Sequence, residues 1–552
     1  MFRNNFKVAI RNLWRNRGFS ALNIVGLAIG VTAFLLIMNY IRFEYSFDDF
    51  LDHETRIYRV PMTVTEKDGK IQTFAFTYPA VAKTLKAEFP EIEQAVRFRK
   101  RYGVVKAGEN KILEAGSLYY VDPAVFKIFS FPFKEGNGET GLADLNDAVI
   151  TETAAKKYFG NDNAMGKTLR YNDENYTVKG VLKDLPANSH LKFNVLLNFQ
   201  KYIQLVKVGG GDADGSWGWS DFYTYILLKP GTNVKALEAK LPPMVERYRG
   251  ADMKERSYQL SLQLQPIKDI HLRSTYDYEL EGNGNLSYLK YLAAAALFIL
   301  FIAWINYVNL STARAIDRSK EVGVRKVIGA NRFQLIRQFM TESVFINLLA
   351  IGIGVFLFTI VLSPFATLVK REAVDLREMG AQFWLMIGAI FLIGTLLAGF
   401  YPAFVMSSFK PIQTLKSSPG FAGKGTSRQF LRKSLVVIQF TAAIVLIAGA
   451  IGFYQQLRFM SSRDIGVDIK QTLVLNQTIG MDSTKIISIQ SFMNDLKALN
   501  GVKSVTASTS VPGGEVGGSE GFTLGTSLAE KRCRVFGIDD HFIPDYGLKI
   551  VA

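Results

Sequence analysis

Asn161-Asp-Asn-Ala-Met-Gly166-Lys167-Thr168 ends like a phosphate-binding loop. Such a loop needs an earlier glycine so that backbone N–H groups can close round a phosphate. That position holds Asn161, and Gly160 lies one residue too far away. A strand is expected at Thr168–Tyr171, where a phosphate loop would open a helix, so a turn between helix and strand is the better reading. Asp212-Ala-Asp214-Gly215 begins like a calcium loop, but no glutamate follows at the spacing that would complete the coordination shell. The glycine-rich run from Gly513 to Gly521 follows no strand-to-helix pattern and reads as a loop. The four histidines, His53, His190, His271 and His541, are scattered and suggest no metal site. The single cysteine, Cys533, excludes an internal disulfide. No convincing nucleophile–base grouping stands out. A non-catalytic chain with no metal or cofactor of its own is expected.

One segment is dense with well-spaced residues. Arg318-Ser-Lys-Glu321-Val322-Gly323-Val-Arg325-Lys326-Val-Ile-Gly329-Ala330 is followed by Phe333, Gln334, Leu335, Phe339 and Glu342. Glu321 and Arg325 are four apart, so they can pair along one helical face. Val322, Val324, Val327 and Ile328 supply apolar surface. Gly329 can end the helix, since glycine tolerates the left-handed conformation. A short, partly apolar helix with a firm stop can seat in a groove of a partner protein. It can equally lie on anionic lipid. Spacing alone leaves both open.

The elements around this segment are apolar. Five stretches lack Asp, Glu, Lys and Arg for the ~20 residues a bilayer requires. They run over 18–41, 291–312, 343–369, 380–408 and 434–457. The first is too long for a typical signal-peptide core and has no small-x-small cleavage site. The formal net charge of +16 would suit nucleic acid, but the excess sits beside these apolar stretches. Arg3, Lys7, Arg11, Arg15 and Arg17 precede the first span without an acid. Residues 313–337 and 409–433 are also strongly basic, whereas 370–378 are balanced. Cytoplasmic loops carry the excess of Lys and Arg. The N-terminus and the two basic loops are therefore expected inside, with 42–287 and the tail after 458 outside.

Small residues recur at helical spacing in the spans: Gly26/Gly30, Ala350/Gly354, Gly394/Ala398 and Ala448/Gly452. Such pairs let helices approach closely, although Gly and Ala are common in membrane helices anyway. The span interiors hold no ionisable group, which argues against an ion- or proton-coupled carrier.

The outer segment reads as mixed α/β. Ile57–Val64, Phe222–Leu228, Thr168–Tyr171 and Thr177–Leu182 have strand composition. Residues 79–89 read as a helix with Val81, Leu85 and Phe89 on one stripe. Ala148–Ile150 then Glu152–Phe159 reads as strand, then helix. Pro79 to Arg97 resembles Gln490 to Ala507, and Tyr120-Val-Asp122 with Phe126 resembles Gly537-Ile-Asp539 with Phe542. A partial duplication is expected, its second copy incomplete at Ala552, with three further spans to follow in a complete protein.

The 318–342 pattern closely resembles the coupling segment of FtsX-like permeases, with Val322 and Val327 as conservative departures. The N-terminal FKVAIRNLWRN with Gly26 and Gly30 resembles that family's start and first span. The outer segment resembles the MacB-like periplasmic core domain, including Phe159-Gly160 and Gly166-Lys167-Thr168. The resemblance implies a tandem, eight-span permease of the MacB/FtsX class of ABC transporters, cut short. It divides the chain into a cytoplasmic amphipathic helix (1–17), a first span (18–41) and a periplasmic core domain (42–287). A permease domain (288–408, coupling loop 313–342), a basic linker (409–433), a fifth span (434–457) and the start of a second core domain (458–552) follow. Arg318, Glu321, Val322, Gly323, Arg325, Lys326, Gly329 and Ala330 would couple to a separate ABC ATPase, which would bind the ATP and magnesium. Gly26, Gly30, Gly394 and Ala398 would pack helices. Other implied partners are membrane lipid, a second permease half or copy, and a periplasmic adaptor or substrate protein, with no nucleic acid. The expected location is the bacterial inner membrane. The expected work is ATP-driven movement of the outer domains, for export of peptides or drugs or release of lipoproteins. Regulation of cell-wall hydrolases and peptide sensing for a signalling system are the alternatives.

Overall fold

A computed structural model describes residues 11, 14–15, 17–108, 112–317, 319–369, 379–407, 426–463, 466–475, 483–514, 518–523 and 530–550. The chain forms two compact units, one of Met1–Tyr45 with Asn285–Ser462 and one of Ser46–Gly284 with Arg463–Ala552.

The first unit is helical: α1 (Arg17–Tyr45), α2 (Leu286–Asp317), α3 (Ser319–Val327), α4 (Arg332–Leu368), α5 (Ala381–Ser407) and α6 (Thr426–Ser462). Among the described residues, four helices are long and apolar enough to cross a membrane: α1, α2, α4 and α6. The sequence predicts five spans. The described apolar stretch of the remaining helix, Ala381–Leu397 in α5, is shorter than the others. The predicted coupling loop 313–342 is mostly helix. No Gly or Pro interrupts residues 313–317 or 332–342, so α2 and α4 run past their apolar limits.

α1 packs against α2 and α4, and α4 against α5. Leu27, Val31, Leu300, Trp304, Phe358 and Phe383 lie in the shared core. Gly30 permits the close approach of α1 to α2, because a Cβ there would lie 2.7 Å from the Ala303 Cβ. Gly26 is less crowded, its added Cβ falling 3.7 Å from Asn306. At Gly394 a Cβ would lie 2.7 Å from Trp304 Nε1 and 3.0 Å from Asn347 Oδ1. Ala398 is on α5, with its side chain outside the described residues. Gly354 faces Val31, and Thr32 Oγ1 lies 3.0 Å from the Gly354 carbonyl, a polar tie between α1 and α4. Ala448 is exposed, and a Cβ on Gly452 would meet nothing within 4 Å.

The second unit is mixed α/β. Its strands are β1 (Ile57–Arg59), β2 (Met62–Thr65), β3 (Ile71–Phe74), β4 (Ile92–Ala107), β5 (Ile112–Val121), β6 (Phe133–Glu135), β7 (Asp147–Thr151), β8 (Thr168–Tyr171), β9 (Glu174–Leu182), β10 (Val195–Asn198), β11 (Tyr223–Leu228), β12 (Gln259–Leu262), β13 (Gln265–Pro266), β14 (Gly518–Thr523) and β15 (Glu530–Val535), the last two an antiparallel pair that takes in the end of the glycine-rich run expected as a loop. A 10-stranded sheet runs β13-β1-β11-β4-β5-β10-β7-β9-β6, with β8 pairing β4 and β9. A second sheet runs β12-β2-β3. The predicted strand Ile57–Val64 is divided between the two sheets at Pro61, which has no N–H to give a ladder. The helix expected over 79–89 spans Ala80–Glu88, and Val81, Leu85 and Phe89 are buried together.

Asp122 fastens the turn after β5 to β4. Its Oδ2 accepts from the Arg97 N–H at 2.8 Å, and the short helix Val125–Ile128 follows. The same fastening occurs between Asp539 and Ala507: Asp539 Oδ2 accepts from the Ala507 N–H at 2.8 Å, and Phe542–Asp545 is helical. In each case the aspartate N–H donates back to the same residue's carbonyl, at 3.4 Å to Arg97 and 3.1 Å to Ala507. These are the positions that the two similar sequence stretches bring into register.

Candidate functional site

α3 and the start of α4 form a helical hairpin. Val322 is 2% exposed and packs on Leu335 and Phe339 of α4. Leu335 and Phe339 are one turn apart, so they present a single stripe to α3. Burying these three side chains ties α3 down, at about 1.5–3 kcal/mol per fully buried residue. Gly323 is buried beside Val322.

The remaining apolar residues face outward. Val324 is 47%, Val327 65%, Ile328 80% and Phe333 71% exposed. Single exposed apolar side chains are ordinary, but a cluster on a short helix and its turn is the mark of a contact surface. Sequence spacing grouped Val322 with the outward residues and passed over Phe333. The structure reverses both. The Leu335/Phe339 spacing was the available signal for an inward partner at Val322.

The turn between the helices is firmly built. Gly329 has φ +100°, where an L side chain is strained. The Ile328 N–H donates to the Val324 carbonyl at 3.0 Å, and the Gly329 N–H to that of Lys326 at 3.1 Å. Asn331 then starts α4 with a reciprocal cap. Its Oδ1 accepts from the Gln334 N–H at 2.9 Å, while Gln334 Oε1 accepts from the Asn331 N–H at 3.1 Å. The glutamine in the sequence pattern is thus a helix-start device. Burial, then the nearby Arg332 charge, holds the Lys326 ammonium below its ordinary range. Ala330 is half-buried in the turn. Arg318 lies outside the described residues. Glu321 and Arg325 are helical, but their side chains lie outside them.

The other chemical candidates have structural roles. Gly166 and Lys167 lie between the helix Glu152–Phe159 and β8, and Lys167 Nζ pairs with Asp162 at 2.8 Å. Asp212 Oδ1 accepts from the N–H groups of Asp214 and Gly215, while Asp214 pairs with Lys83 and Arg97. Those carboxylates are committed to a turn and to cations of the chain. His190 is buried, with Nδ1 2.9 Å from Asp48 Oδ2 and Nε2 3.0 Å from the Tyr225 hydroxyl. His271 stacks on Phe47.

Residues 20–244 match the family described as MacB-like periplasmic core domain. Residues 293–411 match that described as FtsX-like permease C-terminal. The macrolide export ATP-binding/permease protein MacB of Aggregatibacter actinomycetemcomitans is 24% identical over 267 residues. That match covers 46% of this chain and 36% of the relative. The ABC transporter permease YknZ of Bacillus subtilis is 24% identical over 284 residues, covering 50% of this chain and 62% of the relative. The crystal structure of the periplasmic region of MacB from Actinobacillus actinomycetemcomitans is 19% identical with a TM-score of 0.26. It covers 38% of this chain and 89% of that one.

Proposed function

Given that the chain belongs to the MacB/FtsX family of ABC transporter permeases, we propose that it couples a separate cytoplasmic ATPase to movement of its outer domain. The observation that carries this reading is the exposed patch of Val324, Val327, Ile328 and Phe333 on a hairpin anchored from behind by Val322. The patch seats in an apolar groove of the ATPase, in the manner of a helix laid in a groove. The basic residues around it set the approach, and the apolar side chains provide the contact.

In this reading α3 and the N-terminus lie on the cytoplasmic side, and residues 46–284 lie in the periplasm. ATP binding closes the ATPase pair and moves the α3 hairpin. The hairpin moves α2 and α4, which continue from it as helices. The chain passes from α1 straight into the outer unit at Ser46 and returns from it to α2 after Gly284. Two of the spans can therefore carry displacement to that unit. Substrate need not cross the spans, and their lack of ionisable groups agrees with that. Export or efflux, the activity in the MacB relatives' name, is the process we assign.

The test is site-directed photocrosslinking from Ile328 in native membranes. The expected product is an ATPase with a Walker-A sequence, identified by mass spectrometry. Crosslinks confined to lipid would reject the reading.

A further inference from the structure

β4 carries Arg97, Arg99 and Arg101 at alternate positions, so the three guanidinium groups leave one face of the sheet. Their negative partners dwindle along the strand. Arg97 pairs with both Asp122 and Asp214. Arg99 pairs with the half-exposed Asp221 alone. Among the described residues, Arg101 has no carboxylate partner, and it donates to the Tyr202 hydroxyl at 2.5 Å.

The surroundings are aromatic. The Arg99 guanidinium lies 5.4 Å from the Trp219 ring and 5.0 Å from the Phe222 ring, and Arg101 lies 4.9 Å from the Tyr202 ring. Rings hold a cation by its face and leave the in-plane N–H groups free for hydrogen bonds. Arg99 has a side chain only 7% exposed, and its buried Nε–H has no hydrogen-bond partner among the described residues. Burial, and then the Arg101 charge, push Arg99 down to about 10. The group remains charged at neutral pH, a buried cation beside a second cation. Asp221, which pairs with it, is itself held at φ +116°, a conformation unfavourable to a residue with a side chain. Trp219, Asp221 and Arg101 are each partly exposed, which leaves a way in.

We propose that Arg99, Arg101 and the Tyr202 hydroxyl form a binding site for an oxyanion borne on an apolar body, with the Asp221 carboxylate standing in for it in the free protein. Two guanidinium groups and a phenol offer donors enough for a carboxylate or a phosphate. The partly exposed Trp219 ring, packed on the buried Phe222, receives the apolar body. The site does not depend on ATPase docking at α3.

The experiment uses the full chain in detergent micelles and follows tryptophan emission. The probes are phenyl phosphate, N-acetylphenylalanine and N-acetylphenylalanine amide. A saturable change with an anion, absent with the amide and absent in Trp219→Phe, supports the site. A response to the phosphate alone assigns phosphate, and a response to the acid alone assigns a carboxylate. Arg101→Gln should weaken binding by about tenfold or more, the loss of one charge-assisted hydrogen bond. Asp221→Asn, which keeps the turn chemistry but removes the competing charge, should tighten binding several-fold. Saturation by neither anion, or affinity unchanged in Arg101→Gln at an unchanged melting temperature, overturns the proposal. If Arg101→Gln does not fold, Asp221→Asn decides, and weaker binding there overturns it.

Discussion

At the scale of single residues, side chains of one chemical type divide sharply by role. Val322 faces Leu335 and Phe339, whereas Ile328, six positions on, faces outward. Val322→Asp places an uncompensated charge in an apolar contact and should cost several kcal/mol, read as loss of protection of α3 in hydrogen exchange. Ile328→Asp should leave protection unchanged and abolish ATPase recruitment. Gly329→Ala forces an L residue to φ +100° and should cost about 1–2 kcal/mol, with reduced stimulation of the ATPase. Asp214 gives a pH signature. Burial opposes its ionisation, but hydrogen bonds from Lys83 and Arg97 outweigh burial and hold the carboxyl below its ordinary range. A lowered folded pKa contributes stability above the unfolded value of about 3.9, lost as pH falls through the folded pKa. The melting temperature of the outer unit should fall below about pH 4, and Asp214→Asn should flatten that fall. The sequence made the glycine stop legible because glycine at a helix end has one common cause. It could not tell Val322 from Val324, because both are apolar and only the facing stripe on α4 separates them.

At the scale of elements, legibility followed burial pattern. The helix Ala80–Glu88 was readable because its apolar residues follow one period, and strand β11 because it is a continuous aromatic and aliphatic run, buried throughout. The β4–β5 hairpin was not. Its sequence FRKRY puts four basic or hydroxylated side chains into five strand positions, without the apolar alternation that marks a strand. The strand forms because Arg97, Arg99 and Arg101 are each taken up by acids, rings or a phenol once the sheet is assembled. Those partners are distant in sequence. The α3–α4 turn illustrates the opposite case, where the cap is local, made by Asn331 and Gln334 three residues apart. Asn331→Ala should cost about 0.5–2 kcal/mol and fray the first turn of α4, seen as faster amide exchange at Gln334. Gly30→Leu should separate α1 from α2, where even a Cβ would meet Ala303, and lower the thermal stability of the membrane unit.

At the scale of the whole molecule, charge sets the expected topology and the family resemblance the expected working parts. The two chain crossings between units fall at Tyr45/Ser46 and Gly284/Asn285, near where the apolar runs flanking the outer segment end. With Cys533 replaced by serine, single cysteines at Val327 and at the exposed Val208 should react with an impermeant maleimide from opposite faces of sealed vesicles. Reaction of both from one face would defeat the coupling scheme. Four of the five expected spans are long apolar helices among the described residues, and α5 holds the described part of the remaining one.

The aspartate fastening found at both Asp122 and Asp539 separates two jobs that one arginine performs together. Alanine at 507 gives its aspartate the same backbone N–H that Arg97 gives Asp122. The guanidinium adds a two-bond grip on the Asp122 carboxylate and reaches on to Asp214 and the Phe199 ring. Replacing it with alanine should loosen the 209–221 segment and leave the Asp122 turn held by its backbone bonds alone.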